Sequence, residues 1–102
     1  MRIVKPRTVR DFALLHRDSA DQLLAWLRIA GTADWVSFAD VRRTYPHADG
    51  VRVASGNVVT VFNIKGNKYR LIVSIKYQWR MIYVLRFLTH AEYSKEKWKD
   101  EL

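Results

Sequence analysis

The second half of the chain carries the residue types that can cut RNA without a metal ion. In such a reaction a base takes the proton of the 2′-hydroxyl, a cation stabilises the crowded phosphorane, and an acid protonates the leaving 5′-oxygen. The candidate catalytic residues are Lys68, Arg70, His90 and Tyr93. Each also fits an ordinary structural role, since outward lysines and arginines are commonly solvated charges and tyrosines commonly pack at sheet edges.

His90 is the candidate general base. It follows Thr89, which forms a capping box with Glu92 and predicts the start of a C-terminal helix that also contains Tyr93 and Trp98. The positive end of a helix dipole disfavours the protonated imidazole, which favours the proton-accepting form at neutral pH, and the same end attracts phosphate. The alternative is that His90 only helps to open the helix.

The charge of the chain favours a polyanionic partner. The net charge is +8 at pH 7, and no carboxylate lies between Asp49 and Glu92. Such a field attracts nucleic acid, although solubility or an acidic protein partner would also account for it. The residues expected to contact RNA are Asn63, Lys65, Asn67, Lys76 and Arg86.

Several other chemistries lack the residues they require. The chain has no cysteine, which excludes disulfides, thiol catalysis and thiolate zinc sites. The three histidines, His16, His47 and His90, have no metal-ligand spacing, and Gly66 is isolated rather than part of a phosphate-binding loop. The predicted sheet offers no carboxylates for a two-metal site, so we expect neither a metal nor a cofactor.

The first half of the chain predicts helices. A short strand over residues 1–4 precedes a helix with Val9, Phe12, Ala13 and His16 on one face. Ser19 and Gln22 form a second capping-box pattern, which opens a helix that Gly31 can end. A short third helix begins at Ser37 and ends before Pro46. Length and composition predict one domain, residues 1–102.

The second half predicts antiparallel strands. Alternation over residues 57–64 and 69–77, separated by Gly66-Asn67, predicts a hairpin with a two-residue type II′ turn that pairs Asn63 with Arg70. A third strand, residues 81–88, is expected to place Arg86 on the face of Arg70. The strand side chains expected in the core are Tyr69, Leu71, Val73, Ile75, Tyr77, Met81, Tyr83, Leu85 and Phe87. Those expected on the basic face are Lys68, Arg70, Ser74 and Lys76. The fold class is therefore α+β, with an N-terminal helical hairpin on a small antiparallel sheet and a short C-terminal helix.

The N-terminal residues do not form a signal-peptide core, and no apolar run is long enough to cross a membrane. We therefore expect a cytoplasmic protein with no membrane contact.

Two sequence phrases together resemble HigB toxins of the RelE-like superfamily of toxin-antitoxin systems. The first is F-N-x-x-G-N-x-x-R over residues 62–70, and the second is T-H-x-E-Y over residues 89–93, followed by Trp98-Lys99. Tyr45-Pro46 with Asp49 is similar to the family pattern before the hairpin. Relatives place an arginine two residues after the tyrosine that Tyr83 matches, where this chain has Leu85 followed by Arg86, and they often have aspartate where this chain has Ser94.

The resemblance implies a RelE-like fold and an mRNA interferase that cleaves messenger RNA, commonly in the ribosomal A site. It also implies inhibition by a HigA-like antitoxin with a helix-turn-helix domain, so that contact with DNA is indirect. The residues matching the motif, Asn63, Lys68, Arg70, His90 and Tyr93, inherit a role in the RNA-binding or catalytic surface.

We therefore expect a metal-independent endoribonuclease in which Arg70 stabilises the transition state and Lys68 contacts phosphate or handles a proton. His90 is expected to be the base and Tyr93 an accessory base or orienter, although these two could exchange roles. The alternative is a non-catalytic protein that inhibits translation by occupying RNA or the ribosome. A repressor-type DNA-binding protein is disfavoured, because the basic residues concentrate in strands rather than in a recognition helix. Ribosome dependence, codon preference and oligomeric state stay open.

Overall fold

A computed structural model describes all residues, 1–102, as five helices and five strands. The strands are β1 (Arg2–Val4), β2 (Asp49–Arg52), β3 (Val58–Ile64), β4 (Tyr69–Lys76) and β5 (Met81–Thr89). The helices are α1 (Arg7–Leu15), α2 (Ala20–Thr32), α3 (Phe38–Thr44), α4 (His90–Ser94) and α5 (Lys97–Glu101). Short 3₁₀ turns occupy Arg17–Ser19 and Tyr77–Trp79. No helix has both the length and the apolar character needed to cross a membrane.

The strands form one mixed sheet in the order β1-β5-β4-β3-β2. β1 runs parallel to β5, and the other neighbours are antiparallel. The predicted α+β class, the N-terminal strand and the three later strands are confirmed. β2 was not predicted, because its four residues, Asp49 to Arg52, include Gly50 and are mostly exposed, so they show no clear alternation.

The helical hairpin of α1 and α2 covers one face of the sheet, as predicted. Val9 of α1 and Trp26 of α2 are fully buried and belong to the same core cluster as Leu71 of β4. Burial of this face is the main source of stability for helices this short.

The predicted helix ends differ in detail. The Ser19 hydroxyl donates to the carbonyl of His16 at 2.7 Å instead of capping α2, and Gly31 lies inside α2, which continues to Thr32. The Ser37 side chain does not cap α3, although α3 does end before Pro46. By contrast, the capping box of Thr89 and Glu92 is present at the start of α4.

The β3–β4 hairpin has the predicted register but a different loop. Asn63 pairs with Arg70, and the last pair is Ile64 with Tyr69, so residues 65–68 form a four-residue loop. The predicted two-residue turn is therefore wrong. The register is the same in both cases, because the longer loop only lacks the pair between Lys65 and Lys68 and leaves the other pairs in place.

A β-bulge divides β5 into two parts with opposite alternation. Arg86 pairs with Ile72, whereas Val84 pairs with Val73, which leaves Leu85 as the extra residue. Val84 and the fully buried Ile82 therefore pack against the helical side. The predicted core positions of Met81 and Tyr83 are wrong, because the bulge reverses the alternation that holds at Phe87. Leu85 is partly buried, but it packs against the cluster around Trp98 rather than with Phe87.

The other face of the sheet is partly covered by the C-terminal segment. Trp98 of α5 is buried there against Val59 of β3 and Ile72 of β4. Instead of one C-terminal helix, α4 and α5 are separated at Glu96, whose φ is 63°. This segment forms a wall on one side of the basic face.

Four residues other than glycine have left-handed backbone conformations. Their φ angles lie between 53° and 63°, a range that side chains with a Cβ rarely adopt. All four are charged and lie in connections between elements: Lys5, Lys65, Arg80 and Glu96.

Candidate functional site

An open cleft of about 400 Å³ lies on the basic face of the sheet, beside the C-terminal wall. The connection between α3 and β2 forms one side, β3 and β4 form the floor, and α4 forms the other side. The lining residues are Arg42, Pro46, His47, Ala48, Asp49, Val61, Asn63, Arg70 and Tyr93. Three predicted site residues, Asn63, Arg70 and Tyr93, are thus brought together.

Arg70 is the most firmly positioned cation of the cleft. It is only 9% exposed, and its cross-strand partners are Asn63 and Leu88. One guanidinium nitrogen donates to the carbonyl of Tyr69 at 3.1 Å, and another donates to the side-chain oxygen of Asn67 at 3.3 Å. The guanidinium carbon lies 5.5 Å from the ring centroid of Tyr93. These contacts fix a permanent positive charge at the cleft floor.

Tyr93 is half-buried, and its ring lies against the guanidinium of Arg70. Its ring also stacks on Trp98 with centroids 5.2 Å apart. Burial, and then the negative charge of Asp49, raise the pKa of the Tyr93 phenol above its usual value of 10.0. The hydroxyl therefore stays protonated at neutral pH, which favours a proton donor over the accessory base expected from the sequence.

Three polar residues of the cleft were missed in the sequence analysis. The Arg42 guanidinium donates twice to the carbonyl of Pro46, at 3.0 and 3.3 Å, and so holds the turn that carries His47. Asp49 pairs with Val61 across β2 and β3, which places it on the face of Asn63. The only sequence signal for this side was the Tyr45-Pro46 and Asp49 pattern. The expectation of a sheet without carboxylates is wrong at Asp49, because β2 was not foreseen.

Lys68 lies apart from the cleft. Its ammonium group pairs with Asp18 and lies 5.6 Å from the ring centroid of Tyr69, a residue of the helical-side core. The hydrogen bond to Asp18 raises the pKa of Lys68, so the lysine keeps its charge. The expectation that Lys68 shares the face of Arg70 is wrong, because Lys68 belongs to the four-residue loop rather than to β4.

His90 begins α4, as predicted, and is exposed. Its backbone N–H donates to the carbonyl of Lys68 at 2.9 Å, which ties the start of α4 to the hairpin loop. His90 does not line the cleft, whereas His47 does. The structure therefore places a different histidine in the cleft that contains Arg70.

The residues expected to contact RNA lie on the basic face or in the hairpin loop. Asn67 supports Arg70 and lines a second groove with His47, Asn63 and Gly66. Arg86 lies on the face of Arg70, as predicted, because it pairs with Ile72, which is two residues from Arg70 along β4. Lys65 is exposed in the hairpin loop, and Lys76 is exposed at the far end of β4.

No group of three or more histidine, cysteine, aspartate or glutamate side chains is arranged to hold a metal ion.

A comparison with protein families identifies the chain. The family model of HigB toxins, described as the RelE-like toxic component of a toxin-antitoxin system, matches residues 19–96. No curated protein matches the chain. The match includes the cleft residues Arg42 to Tyr93, and the α+β architecture with a five-stranded mixed sheet is consistent with a RelE-like fold. The chain therefore belongs to the HigB family, the RelE-like toxins of toxin-antitoxin systems.

Proposed function

We propose that this toxin is an mRNA interferase, an endoribonuclease that cleaves messenger RNA by acid-base catalysis without a metal ion. The observation that carries the proposal is the buried guanidinium of Arg70, which is stacked on Tyr93 and opens onto a cleft that also holds a histidine and an amide. A fixed cation in a partly desolvated cleft suits a phosphorane, whose charge develops only in the transition state.

The reaction we propose is attack of a 2′-hydroxyl on the adjacent phosphate. A base removes the hydroxyl proton, the new O–P bond forms, and the bond to the 5′-oxygen breaks. The products are a 2′,3′-cyclic phosphate and a 5′-hydroxyl. Arg70 stabilises the phosphorane, and the hydroxyl of Tyr93, which is protonated at neutral pH, donates the proton to the leaving oxygen.

His47 is the stronger candidate for the base, because it lines the cleft that contains Arg70, whereas His90 lies outside that cleft. The two histidines are separated by comparing His47→Ala with His90→Ala in the cleavage assay. We expect the larger loss of cleavage for His47→Ala. A larger loss for His90→Ala would return the base to the residue expected from the sequence.

The family implies an antitoxin partner. We propose that it is a HigA-like protein with a helix-turn-helix domain, that DNA is contacted only through it, and that the substrate is messenger RNA on the ribosome. The neighbouring reading frame tests the first point. Co-expression of a helix-turn-helix protein encoded there should relieve growth arrest caused by the toxin.

The test of catalysis compares Arg70→Ala, Arg70→Lys and Arg7→Ala on translating ribosomes. Arg7 is an exposed arginine at the start of α1, in the opposite layer of the molecule, and serves as the matched control. Loss of one transition-state contact should lower the cleavage rate about 10²- to 10³-fold for Arg70→Ala. Arg70→Lys keeps a charge and limits effects on folding. Primer extension should detect the cuts with and without EDTA.

A non-catalytic toxin that blocks ribosomes by occupancy is the second candidate. It is favoured by one observation, which is that Lys68 and His90 lie outside the cleft, so the expected catalytic set is only partly assembled. Growth arrest without any defined cut product would support occupancy and reject catalysis. Equal cleavage by Arg70→Ala, Arg70→Lys and the unaltered toxin would reject the assigned role of Arg70.

A further inference from the structure

The bulge in β5 exposes a patch of the sheet that the C-terminal wall does not cover. Across three strands, Lys76 pairs with Met81, which pairs with Arg2. In the next row Ser74 pairs with Tyr83, which pairs with Val4. Paired residues project from the same side of a sheet, so these two rows share the face of Arg86 and Arg70. We call the surface formed by these six residues and Arg86 the open face.

The open face combines one aromatic ring with three cations. Tyr83 is 39% exposed, and Arg2 and Lys76 are exposed. The Arg86 side chain is 38% exposed and forms an ion pair with Glu101 of α5, at 3.6 Å between Nη2 and Oε1, so a phosphate would compete with this carboxylate. Neither paired row contains an acidic residue. The patch is therefore positively charged around a tyrosine that a base could stack on.

The open face and the cleft lie on the same face of β4, with the C-terminal wall between them. Lys76 and Arg70 are six positions apart on this strand, which at about 3.3 Å per residue separates them by about 20 Å. Ile72 and Arg86 form the row between the two regions. A single strand of RNA that reaches both regions would pass over the C-terminal wall, because Trp98 covers Ile72 in this row.

We propose that the open face is a second subsite for single-stranded RNA, in which a base stacks on Tyr83 and phosphates contact Arg2, Lys76 and Arg86. The subsite rests on the proposed function, because it would hold the part of the messenger RNA outside the cleft. RNA is favoured over a protein partner, since Tyr83 is the only large exposed apolar side chain in the two paired rows. A stable protein contact requires a larger apolar area.

The test measures binding of a fluorescein-labelled, single-stranded oligouridine by anisotropy, with 2′-O-methyl groups that prevent cleavage. Tyr83→Ala should weaken binding about tenfold, because the loss of base stacking on one aromatic side chain lowers affinity by about this factor. Tyr83→Phe keeps the ring and should bind like the unaltered toxin. Leu15→Ala, which removes a side chain 77% exposed on α1, is the matched control for loss of an exposed apolar group.

A second pair of variants separates the subsite from general attraction. Arg2→Ala with Lys76→Ala should weaken binding more than Arg7→Ala with Arg10→Ala, which removes the same charge from the opposite layer. Equal losses in the two double variants, or unchanged binding by Tyr83→Ala, would reject the subsite. Loss of antitoxin binding but not RNA binding in Tyr83→Ala would also reject it and identify a protein interface.

These outcomes are independent of the test of catalysis. If Arg70→Ala loses cleavage while Tyr83→Ala binds the oligouridine normally, the interferase proposal stands and the subsite is rejected. If Tyr83→Ala loses binding while the unaltered toxin makes no cuts, the subsite stands as an RNA-binding surface of a non-catalytic toxin.

Discussion

Tyr93 combines two separable properties, a ring that supports Arg70 and a hydroxyl that stays protonated. Tyr93→Phe should therefore retain the stacking contacts and lose only the proton donor. We expect the single-turnover cleavage rate to fall about 10²- to 10⁴-fold, the usual contribution of general acid catalysis, with little change in the melting temperature. Tyr45→Phe is the matched control, because Tyr45 is another half-buried tyrosine but packs in the core against Trp35. Full activity of Tyr93→Phe would contradict the assignment.

The contact between Asp18 and the hairpin loop predicts a pH dependence of stability. Hydrogen bonds from Lys68 and from the Tyr69 hydroxyl lower the pKa of Asp18 below its usual 3.8. A carboxylate whose pKa is lower in the folded state stabilises the fold at pH values above its pKa in the unfolded state. This contribution is lost as the pH falls through the pKa of the folded state.

The free energy of unfolding of Asp18→Asn should therefore be lower than that of the unaltered toxin at neutral pH. The difference should shrink as the pH falls below 3.8 and vanish below the lowered pKa of folded Asp18. Urea denaturation over a pH series measures it. Asp11→Asn, at an exposed carboxylate of α1, controls for loss of charge alone. A difference that persists in acid would argue against the proposed origin.

At the scale of single residues, the sequence was informative where a side chain belongs to a regular strand. Asn63 and Arg70 were paired correctly because the hydrophobic alternation of β3 and β4 fixes their register. Lys68 was misplaced and His47 was missed because both lie in connections, where the direction of a side chain depends on loop conformation rather than on periodicity. The role of Asp49 in the cleft required knowledge of β2.

At the scale of elements, the bulge in β5 makes a direct prediction about stability. Ile82 is fully buried and Tyr83 is 39% exposed, the reverse of what an unbroken alternation from Phe87 would give. Ile82→Ala should lower the free energy of unfolding by about 2 to 5 kcal/mol. Tyr83→Ala should lower it by less than about 1 kcal/mol, as is usual for exposed positions. Chemical denaturation measures both, and a larger loss for Tyr83→Ala would reject the bulge.

The bulge was beyond the reach of sequence patterns because β5 is apolar at almost every position. Ile82 and Val84 are as suitable for a core as Met81 and Leu85, so both alternations fit the same residues. The displaced arginine at position 86 was the one indication, since it departs from the family spacing by a single residue. A bulge at Leu85 reconciles that spacing with the face of Arg70.

At the scale of the whole molecule, the order of the elements was largely predictable, and the charge predicts a polyanionic partner. The net charge of +8 predicts that RNA binding weakens as salt concentration rises. Each phosphate contact on a single strand contributes about 0.7 to the slope of log affinity against log salt. Arg2→Ala with Lys76→Ala should therefore reduce the slope by about 1.4. Titrations of the oligouridine at several potassium chloride concentrations measure this, and an unchanged slope would mean that neither side chain contacts a phosphate.

The four left-handed residues link heat resistance to long-range attraction. Glycine adopts these conformations without the crowding that a Cβ causes, and each strained position costs about 1 kcal/mol or more. Selection for thermal tolerance in the laboratory would therefore be expected to accept glycine at Lys5, Lys65 or Arg80. Each such change would remove one positive charge and weaken the attraction of a polyanion to the surface. A more heat-stable variant would therefore associate with a polyanion more slowly.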